Sequence, residues 1–232
     1  MNPDLHRDNA KKFYKKSFDI HGASLKGISW SNSSEPAHNF RTNKLLEIID
    51  QKLNSKQKIS ILDVGSGYGY SIPLLVKKIG YENLNYHGID LLPEFINCAK
   101  EKYISEKNIT FETIDLESFA KNDNRTFDYV ICNGIFTLNH SESQLEWKRI
   151  FFNFIKDYFE KANIGISFNI VTTHCNYLDQ NQFHFSPSEM ISYILNCVTD
   201  KVKIDHSYPN GFYEYCCFLY KSNNIIQRKD LI

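Results

Sequence analysis

No stretch of the 232-residue chain approaches the ~20 consecutive apolar residues that a membrane-spanning helix needs. The segment from Met1 to Asp19 is polar and lysine-rich and lacks the apolar centre of a secretory leader. The expectation is a cytoplasmic protein with no membrane partner. Six cysteines (Cys98, Cys132, Cys175, Cys197, Cys216, Cys217) occur without any CxxC spacing. No histidine–cysteine or paired-acid pattern offers a metal its ligands, so no metal is expected. Cys132, Cys197 and Cys216 sit in apolar contexts and read as buried thiols. Cys216 and Cys217 alternate across a strand and are not expected to pair with each other. Net charge is lacking too: 27 lysines and arginines balance 27 aspartates and glutamates. That neutrality argues against a protein built to hold nucleic acid. There is no internal repeat and no low-complexity tract.

What the chain has is core material, 42% hydrophobic and 14% aromatic residues, in a length suited to one α/β domain. Its most informative stretch runs from Ile59 to Tyr70. An apolar strand, Ile59–Val64, carries Asp63 near its end and runs into Gly65, Gly67 and Gly69, after which Ser71–Ile79 reads as a helix. Such a loop, opening a helix at the carboxyl end of a strand, is where open α/β sheets hold nucleotides. A dinucleotide fingerprint wants Gly-x-Gly-x-x-Gly, and Tyr70 stands where its third glycine belongs. Asp63, two residues before the first glycine, also disfavours a diphosphate.

Further strands follow in order. Leu84–Asp90 ends in an acid 21 residues past Gly69, where a carboxylate can accept hydrogen bonds from a ribose diol. Pro93 starts a helix with Phe95, Ile96, Ala99 and Tyr103 on one face. A third strand begins at Ile109 and ends in Asp115 and Leu116; a fourth, from Phe127, ends in Asn133 and Gly134. A long apolar helix is expected from Ser141 or Glu142 to Lys161, and a fifth strand over Ile164–Thr172. Ser186 and Pro187 mark the start of a helix striped by Met190, Ile191, Ile194, Leu195 and Val198. Val202–His206 and Tyr213–Lys221 read as a hairpin joined through Pro209-Asn210-Gly211. Ahead of the sheet, Ala10–Phe18 carries Phe13, Tyr14 and Phe18 on one side, and Asn39–Leu53 carries Phe40, Leu45, Leu46 and Ile49. Each acid alone also suits a helix cap or a turn; their joint occurrence at successive strand ends carries the argument.

The pattern Asp63-x-Gly65-x-Gly67-x-Gly69 resembles motif I of the class I S-adenosylmethionine-dependent methyltransferases. Asp115-Leu116 resembles that family's adenine-edge position, and the fourth strand its motif IV. The resemblance covers roughly residues 44–221. It implies a Rossmann-like α/β fold: a seven-stranded, mostly parallel sheet with a C-terminal antiparallel hairpin and helices on both faces. Residues 1–43 would form a helical lid extension and 44–232 the methyltransferase domain, as monomer or homodimer. The implied cofactor is S-adenosyl-L-methionine, with S-adenosyl-L-homocysteine as product. Its implied ligands are Asp63, Gly65, Ser66, Gly67, Tyr68, Gly69, Asp90, Leu91, Asp115, Leu116, Asn133 and Gly134, with Trp30 and Arg41 from the lid.

Methyl transfer from a sulfonium is an in-line displacement, so orientation does most of the work. Tyr68, Tyr70, Trp30 and Phe136 are candidates for an aromatic wall beside the positive sulfur. A hydroxyl acceptor calls for a base, and His174 and His140, each following a strand end, are the leading candidates over His184, Tyr213 and Asp179. The amino-group nucleic-acid enzymes of this fold carry Asn/Asp-Pro-Pro-Tyr/Phe after the fourth strand, where this chain has Asn133-Gly134-Ile135-Phe136. The expected acceptor is a small molecule. Gly27-x-x-Trp30, that turn and Phe168-Asn169 resemble bacterial methyltransferases of surface-carbohydrate biosynthesis, which implies an oxygen of a sugar or related metabolite. Two alternatives stay open: a nicotinamide-dependent oxidoreductase, and a non-catalytic cofactor-binding protein of the same fold.

Overall fold

The computed structural model describes residues 5–28, 34–49, 58–209 and 211–221. Its centre is the strand β1 (Ile59–Val64), paired in parallel on both sides and buried along both faces. That double burial is why its sequence is near-continuously apolar instead of alternating. Before it come α1 (Leu5–His21), α2 (Glu35–Leu45) and a single 3-10 turn over Leu46–Ile48. The helix expected over Asn39–Leu53 therefore starts earlier, capped by Ser34, and its end beyond Ile49 lies outside the described residues.

After β1 the chain alternates helix and strand: α3 (Ile72–Ile79), β2 (Leu84–Asp90), α4 (Pro93–Lys102), β3 (Ile109–Thr113), α5 (Leu116–Asn122) and β4 (Phe127–Cys132). Then follow α6 (Gln144–Lys161), β5 (Ala162–Thr172), β6 (His184–Phe185), α7 (Pro187–Cys197), β7 (Val202–Asp205) and β8 (Glu214–Tyr220). The main path of the sheet runs β3-β2-β1-β4-β5-β8-β7, with β6 pairing β5 at Val171 and Thr172. β8 is antiparallel to both its neighbours. The mostly parallel α/β sheet with an antiparallel C-terminal pair is as implied, but it has eight strands instead of seven, because the short β6 adds to β5 off the main path. Of the expected Pro-Asn-Gly turn, Asn210 lies outside the described residues.

Adjacent residues of β1 point to opposite faces, so one strand serves two cores. Leu62 and Val64 join Trp147, Phe151, Phe154 and Tyr158 of α6. Ile61 joins Leu45, Leu75, Ile96 and Ala99 on the other side. Helices thus cover both faces. The α7 start is placed as expected, but Ser186 Oγ bonds Ser188 Oγ instead of capping the helix. One cysteine departs from expectation: Cys132 and Cys216 are buried, whereas Cys197 is exposed because it ends α7 on the solvent side. Among the described residues no helix is long and apolar enough to cross a membrane.

Candidate functional site

The chain runs outward from β1 to β3 on one side, then returns to β4 on the other. Where strand order reverses in such sheets, a crevice opens beyond the carboxyl ends of the strands. Here it is a cavity of about 340 Å³, bordered by the loops after β1 to β4 and covered by residues of α1 and α2.

The first border is the glycine loop. Gly65 has φ +74, and a Cβ there would sit 2.6 Å from Ile135, so only glycine fits the turn against the loop after β4. Gly67 donates its N–H to Asp90 Oδ2 at 2.9 Å. Behind the loop, the buried Asp63 carboxylate accepts from the Ser71 hydroxyl and, at 2.7 Å, from the Tyr86 hydroxyl. Burial raises its pKa to about 6, with nearby Asp90 adding to the shift and the two hydroxyls opposing it. Asp63 thereby ties the loop to β2 and the start of α3. Ser66 Oγ faces β2, where a Cβ on Gly88 would meet it at 2.7 Å.

Asp90 closes β2. Its Oδ1 accepts from Leu92 N at 2.9 Å while Oδ2 accepts from Gly67. Burial raises its pKa against these N–H groups. Each oxygen keeps a second lone pair for a ligand hydroxyl. Asp115 caps α5, taking Ser118 N at 2.9 Å, and pairs with Arg7 of α1 at 3.1 Å. Burial works against its ionisation, but the Ser118 bonds and the Arg7 guanidinium outweigh it and hold its pKa below the usual range. Arg7 also lies 3.8 Å from Glu117, and His6 Nε2 lies 3.0 Å from the same carboxylate. Two residues of α1 are thus fastened to the first turn of α5. Ile114, Leu91 and Leu116 complete an apolar slot here.

The third border follows β4. Asn133 Nδ2 donates to Thr42 Oγ1 at 3.0 Å, while its Oδ1 is buried and has no partner among the described residues. Gly134 N donates to Asn169 Oδ1, Asn169 Nδ2 to Glu214 Oε2, and Arg41 Nε to Glu214 Oε1, all within 2.7–2.8 Å. Arg41 also stacks over Phe212 at 4.5 Å. This buried relay joins α2, β8, β5 and the loop after β4.

At the far end, His140 is buried against Tyr14, Phe13 and Trp147. Burial lowers its pKa to about 4, assisted by His6. His38 is also brought to about 4, by burial and then by Arg41.

Of the residues singled out in the sequence, Asp63, Gly65, Ser66, Gly67, Asp90, Leu91, Asp115, Leu116, Asn133, Gly134, Arg41 and His140 line one cavity. Tyr70 joins them, its hydroxyl bonded to Asn39 and its ring edge-on to His38. Tyr68 and Gly69 do not: Tyr68 is half-buried, packing against Phe95 with Lys102 over its ring. Phe136 is packed into the α6 core. His174 is exposed and outside the lining, beside His206. His184 uses one nitrogen on Thr172 O and the other on Asp179 N, a structural role. Trp30 lies outside the described residues. Sequence reasoning did not find His6, Arg7, Thr42, Trp147 or Glu214. Only Glu214 left a signal, an acid opening an otherwise apolar strand, since a buried charge implies a partner.

A family profile described as a methyltransferase domain matches residues 61–157. The malonyl-[acyl-carrier protein] O-methyltransferase of Acetivibrio thermocellus is 35% identical over 94 residues, 40% of this chain and 31% of that protein. The chain thus matches about a third of the length of this curated relative. Among solved structures, magnesium protoporphyrin IX methyltransferase from Synechocystis PCC 6803 with bound SAM superposes with TM-score 0.63 at 14% identity, over 96% of this chain and 100% of that one. The N-methyltransferase NodS from Bradyrhizobium japonicum WM9, in complex with S-adenosyl-l-homocysteine, gives TM-score 0.62 at 12% identity, over 93% and 100%. At these identities the structural likeness is one of fold.

Proposed function

We propose that the chain, whose residues 61–157 match a methyltransferase-domain profile, transfers a methyl group from S-adenosylmethionine to an oxygen of a small-molecule acceptor. In its narrower form the acceptor is a ring hydroxyl of a sugar or related metabolite. The observation that carries the cofactor assignment is the convergence of Asp90, Asp115 and Asn133 on one cavity beside the glycine loop, with Asn133 Oδ1 buried and unpartnered among the described residues.

The donor set suits a cationic, adenosyl-bearing group. Asp90, fixed by Gly67 and Leu92, presents lone pairs to a ribose diol. Ile114, Leu91 and Leu116 flank a slot for the adenine ring, whose exocyclic amine Asp115 can accept. Asn133 Oδ1 and Asp63 place negative potential where the ammonium and sulfonium would lie, and Tyr70 adds an aromatic face. Arg41, held by Glu214, offers positive charge for a carboxylate at the α2 side of the cavity. When bound, the group supplies an electrophilic methyl on a good leaving group.

The chain's own contribution is orientation, exclusion of water and removal of one proton. The apolar slot and the cover of α1 keep water from the reacting end. His140, uncharged at neutral pH, accepts the hydroxyl proton at Nε2 as the new carbon–oxygen bond forms.

Calorimetric titration with S-adenosylhomocysteine tests the cofactor site. The wild type is expected to bind, and D90A to bind at least tenfold more weakly. Equal affinity in D90A would remove Asp90 from the site, and no binding to the wild type would overturn the proposal.

A further inference from the structure

Two buried polar atoms stand at the His140 end of the cavity. His140 Nε2 and Trp147 Nε1 are both buried and both unpartnered among the described residues. The residues are 9% and 3% exposed, and both line the cavity. Burying a hydrogen-bonding group without a partner is costly. Two such groups side by side therefore mark a position that a ligand satisfies. Their ring centres are 5.8 Å apart with planes at 83°, edge to face. The two rings are thus immediate neighbours in the lining of one cavity.

The two groups are chemically complementary. Indole N–H is a donor only, and a neutral imidazole nitrogen is an acceptor when its other nitrogen carries the proton. An oxygen bearing a hydrogen satisfies both, accepting from Trp147 and donating to His140. An ammonium has no lone pair for the indole. A carboxylate has no proton for the imidazole and would bring its charge into a pocket where the Arg7 guanidinium is already engaged by Asp115. Ala10, Tyr14, Leu138 and Ile150 share the lining and offer flat or apolar surface instead of charge.

We propose that Trp147 Nε1 and His140 Nε2 form a two-point clamp for one uncharged ring hydroxyl of the acceptor, with Trp147 as a specificity-determining residue. This rests on the methyl-transfer reading and deepens it. The clamp selects a neutral hydroxyl compound over a carboxylate or an amine. Aryl hydroxyls and sugar hydroxyls share that chemistry.

The test uses the full chain with saturating S-adenosylhomocysteine. Phenol and methyl α-rhamnopyranoside serve as neutral probes, benzoate and benzylamine as charged ones. The readout is the indole N–H resonance of Trp147, distinguished from that of Trp30 with W30F. At least one neutral probe is expected to move the Trp147 signal downfield and to bind at least fivefold more tightly than either charged probe. Which one does so separates aryl from sugar acceptors. W147F is expected to lose about tenfold in affinity for that probe while its affinity for S-adenosylhomocysteine stays within twofold. A Trp147 resonance unmoved by either neutral probe, or a preference for a charged one, overturns the clamp even if W147F fails to fold. Failure of S-adenosylhomocysteine to bind is a separate result, which removes the methyl-transfer reading itself.

Discussion

Ionisation inside this cavity runs in two opposite directions. Asp63 has a native pKa of about 6, above its unfolded value of 3.8. Between those values the native state keeps a proton that the unfolded chain has lost, so its contribution to stability is full at acid pH and disappears as pH rises through about 6. At 1.36 kcal/mol per pH unit the swing is at most ~3 kcal/mol. Urea melts of D63N and wild type should therefore diverge in favour of D63N, by up to that amount, between pH 4 and pH 7. A constant difference would show that Asp63 does not titrate in this window. His140 has the reverse sign: its native pKa of about 4 lies below the ordinary 6.5, so it remains neutral where a free histidine would charge. The acid limb of kcat for a hydroxyl acceptor is accordingly expected near pH 4, not 6.5. H140Q should lower kcat by ~10²-fold or more, the usual scale for a positioned base. A limb at 6.5, or full activity in H140Q, would assign the proton to another group.

At the scale of elements, the site is covered by two helices that precede the first strand of the sheet. α2 is held by Arg41 to Glu214 at 2.7 Å and by Lys44 to Asp205 at 2.8 Å, reaching β8 and β7. The Arg41–Glu214 pair is buried, and removing one partner of such a pair costs ~3–5 kcal/mol. With ~2–4 °C per kcal/mol for a chain of this size, R41A should lower Tm by at least ~6 °C. A Tm within 2 °C of wild type would mean that the relay stabilises nothing. α1 is held differently, by His6 and Arg7 on Asp115 and Glu117, partly in reach of solvent. E117A should raise amide exchange across residues 5–21 several-fold while leaving β1 to β4 protected, because tertiary contacts of few residues set local opening. These same contacts explain what the sequence could and could not reveal. The glycine loop and the acids ending β2 and β3 were legible because each lies within a few residues of the strand that places it. The partners of His6 and Arg41 lie 111 and 173 positions away, and no local periodicity encodes such pairs. The short α5 leaves no comparable periodicity, so the helix that Asp115 caps was not placed, although a cap is one of the roles such an acid suits. His174 was ranked beside His140 because both follow strand ends; what separates them is α1, which buries one and leaves the other in solvent.

At the scale of the whole molecule, the strand order decides which cofactor the crevice suits. The reversal at β1 and β4 brings the carboxyl ends of four strands to one cavity, an arrangement that nicotinamide-binding sheets also use. The two classes part at the lining. Tyr70 occupies the place of the helix-packing glycine, and Asp63 and Asp90 set negative charge beside the loop that would face a diphosphate. A cavity of about 340 Å³ lies within the ~300–1,000 Å³ of small-molecule sites. Ligand binding to the native state alone adds ~2.7 kcal/mol at a hundredfold excess over Kd. For a chain of this length that corresponds to a rise in Tm of ~5–10 °C. S-adenosylhomocysteine at that excess is expected to produce this shift, and NADH at the same concentration to produce none. A shift with NADH alone would place the chain with the oxidoreductases, because only a loop that tolerates a diphosphate beside two acids could generate it.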